Sequence, residues 1–281
     1  MFVETLESRR LLAVTAAAFH DTLYVWGDNN NNGMSVEKVG SNYVVKEYKG
    51  SGIGYQQIFS TPTSSASKLR VYGYDGVDTI TIHDNVTLKA TLMGGRGADW
   101  IKGGGGETTM WGHGDWADDP SGSHRPSTDD NAADTLVSGA GKMFMSGQGG
   151  NDAFYTSFTG YALTQQDYIW GGNGNDVIHL SGKRDAYVFG QNGNDTFHVY
   201  DTNQKAWIYG GGGTDTVDYA HFGQSVAVKP DGVFKSGARY GTRNQVIDTS
   251  TETIRGTPFN DWMMGTSGNN NFFGRAGNDE L

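Results

Sequence analysis

The sequence has no cysteine, only five prolines and no long apolar run. The missing cysteine excludes disulfides, thiolate metal sites and cysteine nucleophiles. No stretch approaches 18 apolar residues, so no transmembrane helix is predicted. Basic residues number 21 against 31 acidic ones, and the net charge of −10 argues against partners such as nucleic acid or anionic lipid. The same charge suits a protein that binds cations.

Glutamate is also scarce, with 7 glutamates among the 31 acidic residues, which leaves 24 aspartates. A merely solvated acidic surface would use both residues, whereas aspartate is favoured in tight turns and as a metal ligand close to the backbone. Glycine is abundant, at 43 residues, and has no Gly-X-Y period, so collagen is excluded and positive backbone φ angles are implied. The composition therefore predicts glycine-rich loops that carry aspartate ligands.

These glycines and aspartates recur in a frame of nine residues. From Gly94 to Lys102 the chain reads GGRGADWIK, with an aspartate at the sixth position and a large apolar residue at the eighth. Related nonapeptides begin at Gly73, Gly147, Gly171, Gly190, Gly210 and Gly256. A glycine linker would not keep an apolar residue two positions after each aspartate, so the register predicts a solenoid of stacked turns.

The nonapeptides resemble those of the RTX, or hemolysin-type, calcium-binding family. The resemblance implies an all-β fold, a right-handed parallel β-roll or β-helix solenoid, in which consecutive loops share Ca²⁺ ions. The ligands would be the sixth-position carboxylates and backbone carbonyls near the glycines. The implied metal-site residues are Asp75, Asp78, Gly94, Gly95, Gly97, Asp99, Asp134, Gly147, Gly149, Asp152, Gly171, Gly172, Gly174, Asp176, Gly190, Asn192, Gly193, Asp195, Gly210, Gly211, Gly213, Asp215, Asp261 and Asp279.

The spacing of the loops predicts that calcium lies mainly on one side of the solenoid. Loops from Gly147 to Gly210 start about two nonapeptides apart, so each turn of the solenoid has one complete loop. The intervening nonapeptides carry Thr108, Met143 and Ala186 at the aspartate position. The eighth residues should point inward and stack, namely Ile80, Ile101, Leu136, Met145, Phe154, Ile178, Val188, Phe197 and Val217.

The chain divides into five predicted regions. Residues 1–19 resemble a targeting segment, and LESRRLLA (Leu6 to Ala13) resembles the LEPR-like N-terminal motif of planctomycete surface and secreted proteins, with Ser8 in place of proline. Residues 20–72 are predicted to form a β-rich cap or non-calcium rungs, and 73–218 the solenoid. Residues 219–255 break the period as an excursion, and 256–281 resume it. The last repeat stops partway at Leu281, which suggests a truncated chain.

Two features have two interpretations each. An insertion at 112–134 gathers acidic and histidine side chains and is either a solvated loop or a second metal or catalytic site; these are His113, Asp115, Asp118, Asp119, His124, Asp129 and Asp130. A row of large residues precedes the loops and is either a structural corner or a platform for sugar rings; it comprises Trp26, Tyr72, Met93, Trp111, Trp170, Phe189 and Tyr209.

Two functions follow from these observations. The first is a secreted or cell-surface bacterial protein that folds on binding calcium, with a structural or adhesive role and extracellular polysaccharide or cell-surface material as its partner. The alternative is a calcium-dependent polysaccharide lyase or epimerase on a parallel β-helix. The sequence contains no H-E-x-x-H, G-x-S-x-G or P-loop motif, so no catalytic residue is predicted.

Overall fold

The computed structural model describes residues 14–113, 130–156, 166–182, 184–200, 206–228, 246–247, 250–265 and 269–281. The described chain is an all-β solenoid of about seven turns, which confirms the predicted fold class. Its one short helical segment is a 3₁₀ turn at Thr63–Ser65. No helix in the described residues is long and apolar enough to cross a membrane.

One long sheet has ten strands. In hydrogen-bonding order it contains β1 (Thr15–Phe19), β2 (Thr22–Trp26), β6 (Lys68–Asp75), β8 (Lys89–Arg96), β10 (Thr108–Trp111), β12 (Met143–Gly149), β14 (Gln166–Asn173), β16 (Asp185–Asn192), β18 (Ala206–Gly212) and β21 (Val246–Ile247). From β2 onward every pair is parallel.

The opposite sheet has twelve strands. In order it contains β24 (Asn271–Phe273), β22 (Thr253–Arg255), β19 (Thr216–Asp218), β17 (Thr196–Val199), β15 (Val177–Leu180), β13 (Ala153–Thr156), β11 (Thr135–Val137), β9 (Trp100–Lys102), β7 (Thr79–Ile82), β3 (Gly33–Val39), β4 (Asn42–Tyr48) and β5 (Tyr55–Pro62). A third pair joins β20 (Ala227–Val228) to β23 (Trp262–Met263). The chain alternates between the two long sheets, so one side of the solenoid carries the loops that lead from the first sheet to the second. We call this side the loop side and the other the return side.

Antiparallel strands cover the N-terminal end of the solenoid. β1 pairs antiparallel with β2, and β3, β4 and β5 form an antiparallel meander. β2 and β3 themselves pair in parallel with β6 and β7, so they form the first turn of the stack. The added strands occupy hydrogen-bonding edges that would otherwise be open to another chain.

The core is a double column of apolar side chains. Strand alternation turns every second residue of a strand inward, and the parallel register places it directly over the corresponding residue of the next turn. All nine residues predicted to point inward are fully buried. In the second sheet Phe154, Ile178 and Phe197 are register partners. Complete burial of such a side chain contributes about 1.5–3 kcal/mol.

Aromatic residues form two rows on the outer face of the ten-stranded sheet. The predicted row stacks Trp170, Phe189 and Tyr209 with centroids 6.1 and 4.9 Å apart. A second row, two residues earlier in each strand, stacks Tyr187 on Trp207 at 4.5 Å and 8°. Because the ring faces cover one another, the rows stabilise the sheet and present mainly ring edges. The stacking favours the structural corner over a platform for sugar rings.

Candidate metal centre

The sixth-position aspartates form a continuous column on the loop side. In each turn the backbone N–H of one aspartate donates to Oδ1 of the aspartate in the next turn, as from Asp176 to Asp195 at 2.8 Å. The same bond, at 2.7 or 2.8 Å, links successive members of the series Asp78, Asp99, Asp134, Asp152, Asp176, Asp195 and Asp215. One carboxylate oxygen per turn is thus used to hold the column together.

In four of these carboxylates the second oxygen is buried and has no hydrogen-bond donor. They are Asp78, Asp99, Asp176 and Asp195. Burial raises the pKa of Asp99 to about 9, that of Asp78 to about 7 and those of Asp176 and Asp195 to about 6. A stack of buried carboxylate oxygens without donors is costly unless a cation or a proton neutralises it.

Glycine at the first position of each loop makes room for that free oxygen. A Cβ built on Gly171 would collide with Oδ2 of Asp176 and would lie 2.6 Å from the carbonyl oxygen of Gly190 in the next turn. The carboxylate of one loop and the first carbonyl of the next therefore converge on the same space. Any side chain at this glycine would fill it.

The second and fourth positions add rows of backbone carbonyls. Gly172 and Gly174 have φ of +123° and +127°, a region that L side chains rarely adopt. A Cβ on either would collide with the carbonyl oxygen of the residue below it, Gln148 or Gly150. In the loop at Gly147 the positive φ falls on Gln148 and Gly150, the second and fourth positions, and Gly149 is at the third.

The donor set consists of oxygen atoms, which hard cations such as Ca²⁺ prefer, in groups of six to eight. No three histidine, aspartate or glutamate side chains within the described residues form a cluster that could hold a metal. An ion in the column must therefore also take backbone carbonyls, and the glycine positions supply them. The residues present fit calcium in this respect.

Asparagine at the fifth position forms a second ladder, which sequence reasoning missed. The Asn175 N–H donates to Oδ1 of Asn151, and the Asn194 N–H donates to Oδ1 of Asn175, both at 2.7 Å. The recurrent Asn-Asp pair in the sequence was the signal for it.

The third-position residues that were predicted as ligands lie outside the carboxylate column. Asp75 is half-buried in β6, and exposed Asn192 donates to Oδ1 of Asn173 at 2.8 Å.

The column extends one turn further at each end than the aspartates do. Residues 27–35 place Asn32 at the sixth position but lack the positive φ angles of the glycine-rich loops, and the Asn32 N–H donates to Oδ1 of Asp78 at 2.7 Å. The Asn32 side-chain amide donates to Asp28 Oδ1 at 3.0 Å, so this turn has an amide donor where later turns have a carboxylate oxygen. At the other end the Asp215 N–H donates to Oε2 of Glu252.

Asp261 and Asp279 lie on the return side, so the aspartates form two columns. Their loops follow strands of the second sheet, β22 and β24, because nine residues advance the chain by only half a turn. The Asp261 N–H donates to Oδ1 of Asp279 at 2.8 Å. The Asp261 carboxylate accepts bonds from the Thr257 N–H and hydroxyl, at 2.6 and 2.7 Å, so this loop is satisfied internally.

The insertion rejoins the column at its end. Asp134 accepts the Asp99 N–H, although about twenty residues separate it from Gly112. Buried His113 contacts the carbonyl oxygen of Gly95 through Nδ1 at 2.8 Å, and Asp130 accepts the Gly97 N–H. Both side chains thus brace the neighbouring loop. Asp115, Asp118, Asp119, His124 and Asp129 lie outside the described residues.

The requirement for glycine at positions of positive φ can be tested with alanine substitutions at two neighbouring glycines. Gly213→Ala places a Cβ against the carbonyl of Gly193 at φ +134°, and we expect it to lower the free energy of unfolding in calcium by about 1–3 kcal/mol. At Gly212 the nearest atom to a Cβ is 3.6 Å away, so Gly212→Ala should be near neutral. Urea titration of both variants measures the difference, and equal losses would contradict the proposed role of positive φ.

Comparison with known families agrees with this geometry. A family model for the RTX calcium-binding nonapeptide repeat matches four segments, residues 90–115, 159–185, 207–220 and 248–281. No curated protein gave a match to the chain. The column loops at Gly73, Gly147 and Gly190 lie outside the matched segments but share their backbone and aspartate geometry. The chain therefore carries RTX calcium-binding repeats on a β-solenoid.

Proposed function

We propose that the chain is an extracellular or cell-surface structural module that folds on binding Ca²⁺ along the loop side. The observation that supports it is the stack of buried Oδ2 atoms without donors at Asp78, Asp99, Asp176 and Asp195, whose loops each begin at a glycine close to a glycine carbonyl of the next turn. A bound ion would supply the positive charge that these carboxylates lack. The ions would hold successive turns together in a chain that has no disulfides.

The proposed ligands are the sixth-position carboxylates from Asp78 to Asp215 and the carbonyls of the first, second and fourth loop positions. Asp261 is left out because Thr257 already satisfies its carboxylate. Asp279 lies on the return side but keeps the loop backbone of the main column, with positive φ at Arg275 and Gly277, and is retained as a separate ligand there. The enzyme alternative gains no support, since His113 and Asp130 bind backbone groups of the solenoid.

Calcium titration tests the proposal. Isothermal titration of the full chain should show several ions bound with dissociation constants of about 10⁻⁴–10⁻³ M, the range of extracellular modules. Such sites stay empty at the low calcium concentration of a bacterial cytosol and fill outside the cell. Binding near 10⁻⁸ M would contradict the extracellular switch, and no binding at millimolar calcium would contradict the function itself.

A further inference from the structure

Among the described residues, the return side holds one buried aspartate that belongs to no glycine-rich motif. Asp167 immediately precedes Tyr168 in β14, at the level where Phe144 and Tyr168 are register partners. Its Oδ1 accepts the backbone N–H of Met143 at 2.7 Å. This is the same bond, between successive turns, that links the aspartates of the loop side. Asp167 therefore occupies the return-side equivalent of a sixth position.

The other carboxylate oxygen of Asp167 faces a side chain from the following turn. Arg184 Nε lies 3.2 Å from Asp167 Oδ2, and the two side chains are 1% and 0% exposed. The Arg184 guanidinium also donates to backbone carbonyls of the turn at 139–141. It reaches Gly139 and Ala140 at 3.3 Å each, and Gly141 more closely.

The partners of the guanidinium match those available on the loop side. In both places they are one buried carboxylate Oδ2 and carbonyl oxygens of a glycine-containing loop. A guanidinium is charged at all physiological pH values and offers five donors in a fixed plane, so it can satisfy several oxygens together. Burial of Asp167 without such a partner would leave an uncompensated charge.

We infer that the return side contains a second type of cation site, whose resident cation is the guanidinium of Arg184. The comparison with calcium rests on the proposed function, but the charge requirement of Asp167 does not. At this level the protein supplies its own positive charge, so the contact between these turns needs no metal. On the loop side the buried Oδ2 atoms of Asp78, Asp99, Asp176 and Asp195 have no donor among the described residues, so they require ions from solution.

The test uses the full chain in saturating calcium, with hydrogen exchange of the Met143 amide as the readout. Arg184→Met should reduce protection of this amide by roughly two to four orders of magnitude, the effect of removing one partner of a buried pair. Adding Asp167→Asn to that variant should restore most of the protection, because a neutral amide still accepts the Met143 N–H but needs no cation.

Each other outcome also decides the question. Undiminished protection in Arg184→Met with one additional calcium bound would support a cation site, since an ion has then replaced the side chain. Undiminished protection with the wild-type calcium content would overturn the inference. A loss that Asp167→Asn does not restore would assign Arg184 a packing role and overturn it as well. If the wild-type chain bound no calcium, the proposed function would fail, but the rescue by Asp167→Asn would still test whether Arg184 neutralises Asp167.

Discussion

In a chelator at about pH 7.5 the chain is expected to lose most of its β-sheet circular dichroism signal, and millimolar calcium is expected to restore it. At this pH Asp176 and Asp195, with pKa values of about 6, are ionised and stacked without donors. Each ion that binds only the folded loops raises the free energy of unfolding by about 2.7 kcal/mol at a concentration 100 times its dissociation constant. Several such terms are comparable with the whole stability of a domain, about 5–15 kcal/mol.

Magnesium and acid are the controls for this experiment. Mg²⁺ dehydrates reluctantly and demands near-octahedral geometry, so millimolar magnesium should restore much less signal. Acid should act in the opposite direction to chelation. In the folded chain the pKa values of these aspartates lie above the unfolded value of about 3.8. Their contribution to stability is therefore complete at a pH below the unfolded pKa. It is lost as the pH rises through about 6 for Asp176 and Asp195, and 7 for Asp78.

Lowering the pH to about 5 in chelator should therefore recover part of the β-sheet signal, while it raises the calcium concentration needed for binding. A signal in chelator that equals the signal in calcium, and does not change between about pH 5 and 8, would contradict the argument. In that case hydrophobic stacking alone would hold the solenoid together.

The periodic part of the fold could be predicted from the sequence because one residue type serves one purpose at each position. Aspartate at position six, an apolar residue at position eight and glycine at positions of positive φ repeat with the backbone. The fold class is confirmed, and the nine inward residues are all buried. The structure also brings the predicted carboxylates from Asp78 to Asp215 into one column.

The remaining features depend on contacts between turns that the local sequence does not show. Asn32 stands where the later loops have aspartate, so the motif was lost although the hydrogen bond to the next turn was kept. Asp167 follows no glycine-rich loop, and only its bond to the Met143 N–H reveals its position. Asp261 and Asp279 match the motif, but nine-residue spacing moves successive loops to alternate sides. The nonapeptide motif alone does not show whether a loop lies on the loop side or on the return side.

Asp195→Asn is expected to have opposite effects on stability with and without calcium. The new amide keeps an oxygen that can accept the Asp176 N–H, now received by Oδ1 at 2.8 Å, so the ladder survives. It replaces the free Oδ2 by an NH₂ group, which cannot bind a cation. In saturating calcium the variant should lose roughly 3–5 kcal/mol, the cost of removing one partner from a buried ionic contact. In chelator it should be neutral or more stable, because one unpaired buried carboxylate is gone.

Asp84→Asn is the matched control for that variant. Asp84 lies on the return side, is 57% exposed and pairs with Lys102 at 3.1 Å, so the same change should alter stability by less than about 1 kcal/mol in either condition. Urea unfolding in calcium, and the residual β-sheet circular dichroism signal in chelator, each compared with the unsubstituted chain, give the four differences required. A loss for Asp195→Asn of equal size in calcium and in chelator would show that the side chain holds the turns together by its hydrogen bond alone. A reversal of sign confined to Asp195→Asn can arise only if the cation acts at the column, because the ladder bond is present in both conditions.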